Sequence, residues 1–211
     1  MGRKIGFVRN ANQKFNLFLL QYIIMQQTSL KEKYNKEVIP QMMERFGYTN
    51  KMAVPKIVKV TVNTSFGKEV VNKGSGEREK VYKAVMQDLA LITGQKPKLV
   101  KSKKSIAGFK LREGLEIASM VTLRKSKMWD FLERLIYLSF PRSRDFKGIE
   151  LKSVDKMGNL NIGFKEHINF PEIFTEKEKT IFGLEISITT NAKNREQGLE
   201  LFKLLGFPIK D

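Results

Sequence analysis

Residues 94–127 hold ten lysines and arginines against two acids, Glu113 and Glu116. Among the cations are Lys96, Lys101, Lys103, Lys104, Lys110, Arg112 and Arg124. Gln95, Ser102 and Ser105 stand between them and can hydrogen-bond sugar or phosphate oxygens, while Gly108 and Gly114 allow close backbone approach. This mixture suits a phosphate polyanion, whose counterions the cations displace and whose register the polar groups fix. By itself the Lys101 to Ser105 cluster is equally what a solvated charged surface looks like. A nucleic-acid-processing enzyme would need clustered carboxylates for metal ions on the same surface, and Glu113 and Glu116 are scattered.

Other chemistries find less support. Lys73-Gly74-Ser75-Gly76-Glu77 lacks the third glycine of a dinucleotide fingerprint and the Gly-Lys-Ser/Thr ending of a P-loop. The sole histidine, His167, has no cysteine or second histidine to complete a metal set, so a surface or hinge position is expected of it. No cofactor or metal is expected. The absence of cysteine excludes disulfides and thiolate zinc sites and leaves the redox compartment open. Trp129 belongs with the core of its helix.

The elements that must position these residues follow from hydrophobic period. Lys98 to Ser102 and Ile117 to Arg124 are strand-like arms of a hairpin-like excursion whose ends and tip carry the lysines. In the second arm Ile117, Ser119, Val121 and Leu123 share one face, and Met120, Thr122 and Arg124 the other. Lys56 to Thr64 alternates likewise, with Val58, Val60 and Val62 against Lys59, Thr61 and Asn63. Leu184, Ile186 and Ile188 alternate with Glu185, Ser187 and Thr189. Ile149 to Asp155 and Asn159 to Glu166 bracket Lys156-Met157-Gly158 as a β-hairpin.

Helical stripes lie between the strands. Ser29 starts a helix that Gly47 ends, and Pro40 should kink or divide it. Val81, Val85, Leu89 and Ile92 mark a second, ended by Gly94. Ser126 caps a third, carrying Met128, Phe131, Leu132 and Leu135, which Pro141 stops; Asn194 caps a closing helix before Gly206. Strands with one apolar and one polar face, interspersed with amphipathic helices, predict an α+β two-layer sandwich: a mostly antiparallel sheet, helices on one face, and an open face offering Lys59, Asn63, Thr122 and Arg124 to RNA. The scarcity of aromatics outside the apolar stripes favours folded RNA over a single strand.

At 211 residues and 41% hydrophobic, the chain suits a single domain over residues 28–211 plus an extension. Its net charge of +17 agrees with a polyanion partner. Residues 1–27 are basic and then apolar, and are expected to be poorly ordered without a partner. They could be an upstream extension before Met25, a transit segment or an extra interface helix. The run Phe15 to Met25 is too short and interrupted to span a membrane, so membrane association is not expected.

Several stretches resemble one family, the large-subunit ribosomal protein L-five family in its bacterial or organellar form. They are VTVN (60–63), DLALITGQKP (88–97), KSKKSIAGFKLREG (101–114), VTLR (121–124), MWDFLERLI (128–136), PRSRDFKG (141–148), INFPEI (168–173) and GLEISITT (183–190). The resemblance runs from about Leu30 to the C-terminus and implies a non-catalytic protein of the central protuberance that binds 5S rRNA through the open sheet face. By position it implies 5S rRNA contacts at Asn63, Gln95 and Thr122, supported by Lys59, Lys96, Lys101, Lys103 and Arg124. It implies that the loop of Lys104, Ser105, Ile106, Ala107, Gly108, Phe109, Lys110 and Arg112 approaches P-site tRNA. Arg142, Arg144, Lys147 and Lys156 would face the small-subunit head and its ribosomal protein thirteen, forming an intersubunit bridge. Large-subunit rRNA and other central-protuberance proteins are the remaining implied partners, with no homo-oligomer. The implied location is the ribosome, cytoplasmic or, if residues 1–27 are a transit segment, organellar. Lys98, Val100 and Lys125 depart from the family's usual residues, Lys125 standing where glycine is common.

Overall fold

The computed structural model describes residues 29–71, 73–144, 146–173 and 181–210. The expectation for residues 1–27 therefore lies outside the described residues. Strands β1 (Ile57–Ser65), β2 (Lys98–Lys101), β3 (Glu116–Leu123), β4 (Leu160–Phe164) and β5 (Leu184–Thr190) form one sheet in the order β2-β3-β1-β5-β4. Every pairing is antiparallel. The helices are α1 (30–46), α2 (Gly67–Val70), α3 (Ser75–Thr93), α4 (125–142) and α5 (Arg195–Leu205).

Alternation along the strands builds two unlike faces. Val60, Val62, Val121, Leu123, Leu160, Ile162, Leu184, Ile186 and Ile188 are buried, and they join one core with Val38 and Met42 of α1, Leu89 and Ile92 of α3, Phe131 and Leu132 of α4, and Leu201 and Phe202 of α5. The residues between them on each strand stay exposed or half-buried. This is the α+β sandwich that strand and helix periodicity predict. One position differs: a register shift between Ile57 and Lys59 puts Ile57 into the core at 4% exposure and leaves Val58 outside at 39%. A bulge adds one residue to one strand of a pair, so the alternation changes phase there.

Each of the two helix prolines follows a π turn that interrupts the α-helical pattern. The N–H of Ile39 donates to Tyr34 O across the π turn Tyr34–Val38, and α1 runs through Pro40 to Gly47, left-handed at φ 67°. In α4 the N–H of Phe140 donates to Leu135 O across the π turn Leu135–Ser139, and the helix runs through Pro141 to Arg142. Proline offers no N–H and crowds the preceding turn, and a five-residue turn before it widens the helix where the ring needs room. The π turn before Pro40 interrupts α1 without ending it, and α4 ends at Arg142, one residue past Pro141. Ser126 is not the cap of α4 either, since it lies inside the helix and Arg124 occupies the cap position.

Two further expectations need correction. The arm Ile149 to Asp155 is not a strand: it forms a 3-10 turn, Leu151–Ser153, that packs near β4, and its one ladder bridge to β4 is Val154 to Leu160. The turn that follows is real, because the Asp155 carboxylate accepts from the N–H groups of Met157 and Asn159 at 2.9 and 2.8 Å. His167 is fully buried rather than at the surface. Its ring stacks on Phe182 at 3.9 Å, its Nδ1 accepts from the Phe182 N–H, and Nε2 lies 4.0 Å from Asp88 of α3. Trp129 packs half-buried against Tyr34, ring centroids 5.6 Å apart, as a core residue should. The Tyr34 hydroxyl donates to Pro55 O, and burial pushes its pKa up to about 12.

Candidate nucleic-acid interface

The uncovered face is built by cross-strand register. Thr61 on the central strand stands between Thr122 and Ser187, and Ser187 is opposite Asn161, giving one polar row across four strands. In the next row Asn63 stands between Met120 and Glu185, and Lys98 lies beyond Met120. Asn63 and Thr122 are thus diagonal neighbours, a relation that places Cα atoms about 7–8 Å apart. Both are half-buried on this face, not sunk into the core.

Gln95 arrives from a helix end. Gly94 closes α3 in the left-handed conformation, φ 62°, and turns the chain toward β2. Gln95 Nε2 then donates to Thr122 O at 3.4 Å, so two of the three family-implied contact residues touch. The Lys127 ammonium donates to Gly94 O at 3.0 Å, fixing the same corner. Lys96 and Arg124 are exposed at this end of the sheet, Lys101 and Lys103 are exposed at the other end of β2, where Lys101 pairs with Glu116, and Lys59 is half-buried on β1.

The connection from β2 to β3 leaves the sheet as an ordered loop. The Ser102 N–H donates to Leu115 O and the Gly114 N–H to Ser102 O, while Ile106 and Leu111 exchange backbone hydrogen bonds. Ser102, buried, donates its hydroxyl to Lys104 O, and Ser105 Oγ accepts from the Glu113 N–H at 2.9 Å. These serines hold the loop, and Ser102 is not presented to a ligand. At the tip, Ile106 and Phe109 are 45% and 74% exposed, and Lys103, Lys104, Lys110 and Arg112 surround them, also exposed. Periodicity put the aromatics in the core, and Phe109 is an exception because the loop, not a packed element, carries it.

The opposite edge of the sheet holds the third set. Arg142 is exposed at the last position of α4, and Arg144 and Lys147 are exposed after it and line a groove beside β4. Lys156 is exposed on the turn before β4 and does not line that groove. Sequence reading did not single out Glu185, an exposed carboxylate directly beside Asn63. Its signal was the alternation of Leu184 to Thr189, which assigns it to the polar face. Among the described residues no three acids or histidines stand close enough to hold a metal ion.

Comparison with known proteins gives a concordant result. The family pattern described as "Ribosomal protein L5" matches residues 50–112, and the pattern for the C-terminus of the same ribosomal protein family matches residues 116–209. The large ribosomal subunit protein uL5 of Desulforapulum autotrophicum is 49% identical over 184 residues, 87% of this chain and 99% of that protein. The uL5 of Geotalea daltonii is 49% identical, covering 86% of this chain and 98% of that protein. The protein called uL5c of Rhodomonas salina is 46% identical over 87% of this chain and 98% of its own length.

Proposed function

Because the chain belongs to the ribosomal protein L5 family, and is thus a non-enzymatic structural protein of the large ribosomal subunit in translation, we propose that its open sheet face holds 5S rRNA. The observation that carries this reading is the joining of Gln95 to Thr122, next to Asn63, on an uncovered face with exposed cations at both ends of β2. Asn63, Gln95 and Thr122 select the folded RNA by hydrogen bonds, while Lys59, Lys96, Lys101, Lys103 and Arg124 neutralise phosphates. Glu185 repels phosphate on the β5 side of Asn63, so the RNA keeps to β2, β3 and β1.

The loop from Lys104 to Arg112 approaches P-site tRNA, its cations serving the backbone and Phe109 supplying a stacking surface. Arg142, Arg144, Lys147 and Lys156 face the small-subunit head. Exposure of each of these residues supports this assignment, together with the family membership.

Asn63→Ala and Thr122→Ala are each expected to weaken 5S rRNA binding by about 1–3 kcal/mol in filter binding at fixed salt. Wild-type affinity in both variants would refute the sheet-face assignment.

A further inference from the structure

A groove of about 760 Å³ separates β4 from the chain around Ser143 to Glu150. Its wall takes Ile162 and Phe164 from the packed face of β4 and Asn161 and Gly163 from the open face. Side chains of both parities meet one groove only where it follows the strand's edge, and there the backbone N–H and C=O groups point. β4 ends the sheet with β5 on its paired side, and Val154 bridges only its first residue, Leu160. The space above Gly163 is open, with nothing within 4 Å of where a Cβ would stand.

The charge of the groove restricts its occupant. Arg144, Lys147, Lys165 and Lys210 line it with two carboxylates, Glu150 and Glu166, and Lys152 already holds Glu150 at 2.6 Å. Among the described residues the surplus is therefore positive. We propose that the free edge of β4 receives an extended peptide segment bearing acidic residues, which pairs with it as an added strand. Main-chain hydrogen bonds supply the attachment, and alternate carboxylates meet the four cations. RNA is disfavoured by the two carboxylates and by the floor of Phe146 and Phe164, and it has no strand to offer the edge. The inference rests on the reading that Arg144 and Lys147 face a protein partner, and it names that partner's chemistry.

The test uses the full chain, isotopically labelled, titrated with a capped six-residue peptide alternating valine and glutamate. Shift changes and slowed amide exchange are expected at residues 161–164 and 143–148, and Arg144→Glu with Lys165→Glu should weaken binding at least tenfold. Circular dichroism of the double variant checks that it remains folded. A peptide methylated on its backbone nitrogens should lose binding; retained binding would mean charge alone attracts it and would overturn strand addition. Absence of binding, or equal binding of an oligouridylate at the same residues, would overturn the proposal as well. Association of ribosomal subunits carrying Arg144→Glu reads the small-subunit contact separately: impaired association with no peptide binding would leave that contact standing and remove only the added strand.

Discussion

Lys125 is the residue where backbone and side chain disagree most plainly. It begins α4 at φ 55°, in the left-handed region that favours glycine. An L-residue pays about 1–2 kcal/mol for that conformation, against which glycine's greater freedom in the unfolded chain recovers about 0.5–1. Lys125→Gly should therefore raise stability by about 0.5–1 kcal/mol, seen as a higher urea midpoint at unchanged slope. The gain in stability would come with one cation fewer at the edge of the RNA face. Resemblance flagged this position, while periodicity could not, since φ leaves no trace in a hydrophobic pattern. His167 illustrates the same limit: its stacking partner Phe182 and its neighbour Asp88 come from distant parts of the chain. Nothing in the residues flanking His167 announced its burial.

Among the elements, the turn from Asp155 to Asn159 is held to α5 by a contact between glycines. A Cβ on Gly198 would stand 2.5 Å from the Gly158 Cα, and one on Gly158, at φ 75°, would stand 2.8 Å from the Ala192 Cβ. Neither side can yield without moving backbone. Gly198→Ala should cost more than about 2 kcal/mol, whereas Gly76→Ala in α3, with nothing within 4 Å, should gain about 0.5–1 from helix propensity. Chemical denaturation of the pair checks the opposite signs. The turn itself was legible in Lys156-Met157-Gly158, and so were β1, β3, β5 and the stripes of α3 and α5, each marked by a sustained period. The lost arm at Ile149 to Asp155 carries no such period over enough residues, and it packs through a 3-10 turn instead. The prolines marked both interruptions, but not their form, since no residue type signals a π turn in advance.

For the whole molecule, the net charge of +17 means that the proposed binding to RNA should weaken as ionic strength rises. The logarithm of the 5S rRNA binding constant should fall linearly with the logarithm of salt, and replacing Lys101 or Lys103 with alanine should reduce the slope by about 1 each if the lysine contacts phosphate. Filter binding across a salt series measures both slopes, and an unchanged slope removes that lysine from the contact set. The layered architecture and its bare face were legible because alternation fixes which side of a strand packs. The order of strands was not, because pairing joins segments remote in the chain. That order has a consequence for how the protein is made. The central strand β1 emerges early from the ribosome that synthesises it, yet Val60 and Val62 must wait for Ile188 and Ile186 near the chain's far end. The core that backs the proposed RNA strands β2, β3 and β1 is thus closed on the β5 side of β1 only after residues 184–190 have been made, although those three strands are all made before them.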